Sequence, residues 1–301
     1  AGSPLCCRIR RPPTFTRFTY ATRFRSLSMP DHSGLARPAT ADVEGEIEID
    51  FVDMPTADHQ GASTNAARAM VEQGVDCIVT LGGDGTNRVV AKGCLEVPLV
   101  PISTGTNNVF PANTEGTLAG IAAGSVATQR LTRDDACRRS KRIDIYIDNE
   151  LCDDALVDAA VSTQMFVGAR AVWDTSTLHA MFLTRAEPAS IGLSSIGSRL
   201  EPIAIDDPFG LYIRMDGEPG STATTVRAPI APGAVSDVDI MDWRRIMPGE
   251  QISIDLHPGT IALDGEREVE LLPNQKVHAM LNLDGPWVVD VPHTMMLLAN
   301  R

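Results

Sequence analysis

The chain has 301 residues, of which 43% are hydrophobic and 22% charged, values typical of a globular protein with one or two domains. Its formal net charge of −13 excludes general attraction to nucleic acid or to an anionic membrane surface, so we expect neither as a partner. No stretch has the roughly 20 consecutive apolar residues that a transmembrane helix needs. The six cysteines form no C-x-x-C pair, which favours buried thiols in a reducing cytoplasm over zinc ligands or disulfides.

Residues 1–30 differ in composition from the rest of the chain. They contain six arginines, four prolines and no acidic residue. An arginine- and serine-rich start without acids is compatible with a transit peptide, although the prolines would interrupt an amphipathic helix; a disordered arm and an aberrant start are the alternatives. We assign this segment no chemistry.

Strands and helices alternate between residues 31 and 138. The pattern predicts a half-buried strand at EIEIDFV, a helix capped by Ser63, a buried strand at VDCIVTL, a short helix after GGDGT, a second buried strand at PLVPI and a small-residue helix at EGTLAGIAAG. This alternation predicts an α/β nucleotide-binding domain with a parallel sheet over residues 31–138.

From residue 139 onward the pattern changes to short, alternating apolar runs separated by Gly, Pro, Asn or Asp. Seven runs carry it: RIDIYID, GLYIRM, TTVRAPI, SDVDIMD, QISIDLH, REVELLP and KVHAMLNL. They predict an antiparallel, β-sandwich-like domain over residues 139–301, with the C-terminal end as a candidate to return to the first domain. Helix-like stretches at 176–184 and 187–196 interrupt the strands.

The sequence TLGGDGTN follows the first buried strand and is the clearest candidate for chemistry. Gly82, Gly83 and Gly85 permit backbone conformations closed to other residues and let a ligand approach the main chain. The helix near Thr86 would direct unpaired N–H groups at phosphates, and Arg88 and Lys92 either add positive charge or form a solvated face. Asp84 is then a general base or a Mg²⁺ ligand, and the alternative is a tight turn whose Asp caps the helix.

A second polar loop follows the next buried strand. Thr104-Gly105-Thr106-Asn107-Asn108 supplies hydroxyl and amide groups suited to the edges of a ribose and an adenine. Parallel strands present their carboxyl ends at one edge of a sheet, where open α/β sheets bind ligands. Glu115, just beyond, is either an acceptor for a ribose hydroxyl or an exposed acid at a helix N-terminus. No P-loop, G-x-G-x-x-G or G-x-S-x-G motif occurs.

LGGDGTNRVVAKG, PLVPISTGTNNVFP and EGTLAGIAAG together resemble the ATP-NAD kinases, and most of all the branch named for the acetoin-catabolism X protein. The wider superfamily includes diacylglycerol and sphingosine kinases. The resemblance implies an α/β domain followed by a β-sandwich, ATP as phosphoryl donor with Mg²⁺, a cytoplasmic location and a homo-oligomer.

Site residues follow from the same resemblance. It implies that Asp84 is the essential carboxylate, that Glu266 of the late D-G-E sequence is a second catalytic acid, and that Asp158 contacts the acceptor, as Glu115 also could. The nucleotide would be held by the two loops, through Gly82, Gly83, Gly85, Thr86, Asn87, Thr104, Gly105, Thr106, Asn107 and Asn108. For Asp264-Gly265 the alternative is an ordinary Asp-Gly hairpin turn.

Three features depart from the family pattern. Val157-Asp158 stands where NAD kinases have an Asn-Glu pair, and their Thr-Gly-Ser-Thr run has no clear counterpart, the nearest stretch being IGLSSIGSRLEP at 191–202. Relatives begin with an apolar strand, and nothing before Asp31 is expected to supply it.

The sequence therefore predicts a kinase that phosphorylates NAD or NADH to NADP or NADPH. A lipid or another small alcohol is the alternative acceptor, although no basic amphipathic surface favours a lipid. A regulator that binds NAD or ATP without catalysis is the alternative from a different class.

Overall fold

The computed structural model describes residues 25–30, 38, 48–54, 60–165, 175–217 and 223–300. Their packing divides the chain into two compact units. The first takes in the described part of Ala1–Thr104, Pro111–Arg139 and the described part of Pro286–Arg301, and the second takes in Gly105–Phe110 and the described part of Ser140–Gly285.

The strands in the described ranges are β1 Arg25–Ser28, β2 Glu48–Phe51, β3 Ile78–Gly82, β4 Leu99–Ser103, β5 Cys137–Arg139, β6 Arg142–Ile147, β7 Glu150–Ala155, β8 Asp158–Ser162, β9 Leu178–Leu183, β10 Gly210–Arg214, β11 Thr224–Ala231, β12 Ala234–Ile240, β13 Asp242–Ile246, β14 Gln251–Ile254, β15 Gly259–Leu263, β16 Glu266–Leu271, β17 Val277–Asn282 and β18 Trp287–Val289. The helices in the same ranges are α1 Gln60–Glu72, α2 Asp84–Cys94, α3 Gly116–Ala127, α4 Arg133–Ala136, α5 Ser194–Leu200 and α6 Val291–Ala299, with a 3-10 turn at Thr175–Thr177.

The first unit is built on a four-stranded sheet with the order β3-β4-β18-β5. Strands β3, β4 and β18 run parallel, and β5 is antiparallel to β18. One apolar cluster joins α1 and α2 to β3 and β4, and a second joins α3, α4 and α6 to β4 and β18. Helices therefore cover this sheet with two separate cores, as in α/β proteins.

Two predictions for the first unit need correction. A strand does precede Asp31: β1 pairs in parallel with β2, and its Leu27 is buried. The sequence signal was weak because RSLS is short and contains one apolar residue. Helix α1 begins at Gln60, so Ser63 lies inside it rather than at its cap, since the apolar stripe already starts at the buried Ala62. The predictions for residues 1–24 lie outside the described residues.

The second unit is antiparallel. A six-stranded sheet has the order β13-β10-β9-β8-β15-β16, a four-stranded sheet has the order β14-β17-β6-β7, and β11 and β12 form a hairpin. One apolar cluster lies between the two larger sheets, and another packs α5 and the β11–β12 hairpin on the opposite face of the six-stranded sheet. The predicted fold class, a parallel-sheet α/β domain followed by an antiparallel sandwich-like domain, is confirmed.

The helix expected at 176–184 is wrong, because residues 178–183 form strand β9 and the two residues before them lie in the 3-10 turn. All of β9 except His179 is buried, and a strand buried on both faces gives a continuous apolar run that resembles a buried helix. Of the stretch 187–196, only the last three residues enter a helix, α5. No helix in the described ranges is long and apolar enough to span a membrane.

Candidate active site

The first glycine loop joins a buried parallel strand directly to a helix. Strand β3 ends at Gly82, Gly83 caps helix α2, and Asp84 is the first helical residue. No side chain caps this helix N-terminus, so the loop leaves the helix dipole available to an anion. Asp84 and Thr86 are half-buried in its first turn.

The glycines of this loop are needed for space and not for an unusual conformation. Gly83 has φ −95° and ψ −168°, an extended backbone open to any residue, and Gly82 has no positive φ. A Cβ on Gly82, however, would lie 2.6 Å from Cβ of Thr86. The sequence-based expectation of backbone conformations closed to other residues is thus wrong for these two glycines, and close approach of strand to helix replaces it.

Asn87 supports the loop from inside. Its side chain is fully buried; its Oδ1 accepts from Thr80 Oγ1 at 2.6 Å and its Nδ2 donates to the Gly83 carbonyl at 2.8 Å. Both ends of the amide thus help to fix the loop, and its role in nucleotide binding stays a prediction. Arg88 is also fully buried, so it is not part of a solvated face, whereas Lys92 is exposed.

The second loop starts beside the first. Strands β3 and β4 are in register to their ends, with Gly82 paired to Ser103. Thr104, Gly105 and Thr106 are exposed. The predicted adjacency of the two strand ends is therefore present within the first unit.

Further along this loop, residues Gly105–Phe110 belong to the second unit. Asn107 and Asn108 are half-buried. Gly192, at φ +97°, leaves room for the Asn107 side chain, because a Cβ on Gly192 would lie 3.2 Å from Asn107 Oδ1. The IGLSSIGSRLEP stretch thus contacts the second glycine-containing loop.

Three chain turns meet at one end of the six-stranded sheet in the second unit. Asp158 begins β8, Thr184 follows β9, and Asp264 and Gly265 form the turn between β15 and β16. Positive φ angles of 50° and 84° at the last two residues match the expected Asp-Gly hairpin turn. Asp158 is 7% exposed. Glu266, half-buried, is the first residue of β16, directly after this turn.

The carboxylate of Asp264 binds the backbone of the neighbouring turn. It accepts hydrogen bonds from the N–H groups of Leu156, Val157 and Asp158 at 2.9, 2.7 and 3.2 Å. Val157, beside Asp158 in this turn, is fully buried, so its apolar side chain is enclosed by protein.

Arg185 is a candidate for ligand binding that the sequence analysis did not name. Only 5% of it is exposed, its guanidinium lies 5.3 Å from the centre of the Phe110 ring, and its Nη1 is 3.9 Å from Glu187. A buried cation stacked on an aromatic ring of the second loop is suited to an anionic ligand. The available signal was an arginine placed directly after the apolar run AMFLT.

Glu115 caps helix α3. Its carboxylate accepts from the N–H groups of Thr117 at 2.8 Å and Leu118 at 3.3 Å, and the Thr117 hydrogen bond is the main cause of a lowered pKa. This geometry supports the interpretation of Glu115 as an exposed acid that caps a helix N-terminus. Contact of Glu115 with the acceptor stays a prediction.

Among the described residues, no three His, Cys, Asp or Glu side chains are grouped so as to hold a metal ion by themselves. Mg²⁺ is commonly held by one or two carboxylates together with the phosphates of its substrate. Asp84, at the start of α2, fits that pattern.

The chain matches two families. Residues 27–129 match the family described as the ATP-NAD kinase N-terminal domain, and residues 141–284 match the one described as the acetoin catabolism protein X C-terminal domain.

The chain is also similar to individual proteins. Acetoin catabolism protein X of Cupriavidus necator is 40% identical over 270 residues, which cover 86% of this chain and 75% of that protein. An NAD kinase of Methanosarcina barkeri is 28% identical over 137 residues, which cover 44% of this chain and 46% of the kinase. The structure of yeast NADH kinase complexed with NADH aligns with a TM-score of 0.46 at 13% identity, over 90% of this chain and 77% of that one.

Proposed function

Because this chain belongs to the acetoin catabolism protein X family, a branch of the ATP-NAD kinases, we propose that it transfers a phosphoryl group from ATP to a hydroxyl of NAD or NADH. The product is NADP or NADPH, phosphorylated on the adenosine ribose. The observation that carries this proposal is the first glycine loop, where a buried parallel strand enters a helix whose N-terminus has no side-chain cap.

The loop residues have distinct roles in this reaction. Gly82 and Gly83 bring the main chain close to the phosphates, and the N–H groups at the start of α2 donate hydrogen bonds to the phosphate oxygens. Thr86 adds a hydroxyl donor. From the adjacent strand end, the exposed Thr104, Gly105 and Thr106 hold the remainder of the nucleotide.

Asp84 orients and deprotonates the acceptor. As the 2′-oxygen forms its bond to the γ-phosphorus, the bond from that phosphorus to the bridging oxygen breaks and ADP leaves. The proton of the hydroxyl passes to the Asp84 carboxylate, and Glu266 is the proposed second acid of this step. When bound, Mg²⁺ would neutralise the negative charge of the phosphates, and the ion would be held by Asp84 and the phosphates.

Product detection by mass spectrometry tests the proposal. Purified protein is incubated with Mg²⁺-ATP and, separately, NAD, NADH, a diacylglycerol and a sphingoid base. The Asp84→Asn variant should lose turnover but still bind ATP, because the amide keeps the shape and loses the base. The Asp134→Asn variant is the control, since Asp134 also lies in the first turn of a helix and its side chain is 85% exposed.

Each result has one meaning. Formation of NADP or NADPH only when Asp84 is intact supports a dinucleotide kinase. Formation of a phosphorylated lipid would identify a lipid kinase instead. If Asp84→Asn turns over as fast as the unaltered protein, Asp84 has no part in the mechanism.

A non-catalytic NAD- or ATP-binding regulator is the second candidate. The observation in its favour is the fully buried Val157, which cannot offer an amide to a dinucleotide. Tight binding of ATP or NAD by folded protein, with no product over hours, would establish this function instead.

The proposal also includes a homo-oligomer in the cytoplasm. Light scattering of the purified protein measures the first, and cell fractionation the second.

A further inference from the structure

Every polar group in the backbone of the turn at Leu156–Asp158 has a hydrogen-bond partner. Its three consecutive N–H groups all point to the carboxylate of Asp264, which lies 106 to 108 residues later in the chain. Three converging N–H groups form a natural anion site. Here the protein fills that site with one of its own carboxylates.

The carbonyl groups of the same turn are held as well. Thr184 Oγ1 donates to the Leu156 carbonyl at 2.7 Å, and the Thr184 N–H donates to the Val157 carbonyl at 2.9 Å. The Asp264 N–H donates to the Asp158 carbonyl at 2.9 Å. All six backbone polar groups of the turn therefore have partners within the second unit, and this specifies one conformation.

A hairpin turn by itself does not require this arrangement. The β6–β7 hairpin has the same left-handed backbone, with φ 52° at Asp148 and 68° at Asn149. Yet Asp148 is exposed, and its carboxylate accepts a backbone hydrogen bond from the Lys276 N–H at 3.0 Å. Asp264, by contrast, is 8% exposed and bound to three N–H groups of another segment. Burial of a carboxylate is costly unless it is fully hydrogen-bonded, so its place points to a task beyond the turn.

We propose that Asp264 is a positioning residue that, with Thr184, fixes the 156–158 turn and thereby directs the Asp158 carboxylate towards the acceptor. This inference rests on the proposed kinase function. It separates the two acids of the D-G-E sequence: Glu266 is assigned to the phosphoryl transfer and Asp264 to the architecture of the acceptor site.

Steady-state kinetics of Asp264→Asn test the proposal. The new amide presents N–H groups where the Leu156 N–H needs an acceptor, so the turn loosens. The KM for NAD should rise on the order of tenfold or more, with kcat and the KM for ATP held within about threefold. Asp148→Asn, the same change in the matching hairpin, should leave all three values unchanged. Thr184→Val, which removes only the hydroxyl, should raise the KM for NAD by a smaller factor.

A double-mutant cycle separates positioning from general structure. When Asp158 is already replaced by Asn, Asp264→Asn should change the KM for NAD by less than about twofold, because the group it positions is gone. An equal rise in the KM for both substrates, or the full effect on top of Asp158→Asn, would overturn the proposal.

Amide hydrogen exchange gives a readout that does not depend on turnover. Asp264→Asn should speed exchange at Leu156, Val157 and Asp158 on the order of tenfold or more, while β14 and β17 keep their protection. Unchanged exchange at these three amides refutes the positioning role, and so does equal acceleration everywhere. If the unaltered protein forms no product from any acceptor, the proposed function fails, and exchange together with NAD titration still decides whether Asp264 holds this turn.

Discussion

Replacing Gly82 by alanine places a methyl group where the first glycine loop has no space for one. The new Cβ would lie 2.6 Å from Cβ, Cγ2 and Oγ1 of Thr86, whereas non-bonded carbon atoms settle at about 3.5–4.0 Å. Cβ of Thr86 is attached to the backbone and cannot rotate away. Strand β3 and the start of α2 must therefore separate by about 1 Å.

That displacement has a calculable consequence for both activity and stability. A shift of about 1 Å at a reacting group lowers turnover about 100-fold, and overpacking lowers the free energy of unfolding by about 1–3 kcal/mol. We would measure NADP formation and thermal unfolding for Gly82→Ala and for the control Gly120→Ala, whose added Cβ meets no atom within 4 Å. Combining Gly82→Ala with Thr86→Gly removes the clash and should recover part of the stability. Full activity of Gly82→Ala in folded protein would refute the assignment of this loop to the phosphates.

Three further predictions concern ionisable groups. Burial, with the charge of Arg185, lowers the pKa of Lys141 to about 8 from its ordinary 10.5 although three carbonyl oxygens accept from its ammonium group. Between pH 8 and 10.5 the unfolded chain binds one more proton than the folded chain, so Lys141 makes the free energy of unfolding rise with pH. The NMR side-chain signal of Lys141, assigned with the Lys141→Met variant, should titrate near pH 8. If it shows no titration below pH 10, the prediction is wrong. The pKa of Glu115 is lowered mainly by the Thr117 N–H, so its contribution to the free energy of unfolding is present above the unfolded pKa and disappears as the pH falls through the folded pKa. Glu115→Gln should therefore lower the Tm at pH 7 but not in strong acid. An equal loss of Tm at both pH values would exclude a charge effect. Burial raises the pKa of Cys94 to about 12 while Cys152 is exposed, so peptide mapping after alkylation at pH 8 should find label on Cys152 but none on Cys94 until the protein unfolds.

The sequence predicted those parts of the fold whose signals are local. Strands β3 and β4 were recognisable because each is a short apolar run that ends in a glycine-containing loop. Strand β1 was missed because only Leu27 within it is apolar, and β9 was taken for a helix because a strand buried on both faces does not alternate.

The candidate site was predictable in its residue types but not in its long-range contacts. Asp84 was found from its place in the glycine loop. Asn87 was assigned to the ligand, and the sequence does not show that Thr80 and Gly83 engage its amide. Asp264 was identified as a hairpin residue, but its three partners lie over 100 residues away, a distance that no local pattern can reveal.

The order of strands in the first sheet has a consequence for how the protein is made. Strand β18 lies between β4 and β5, yet it is synthesised almost 150 residues after β5. At about 5–20 residues per second, a ribosome needs roughly 7–30 s for that interval. During this time β4 has one open edge and β5 has no partner in its sheet, while every strand of the second unit has already been synthesised before β18. The first unit is thus completed only after the second, and a fragment that stops at residue 139 would contain the whole GGDGT loop and still lack the strand that closes its sheet.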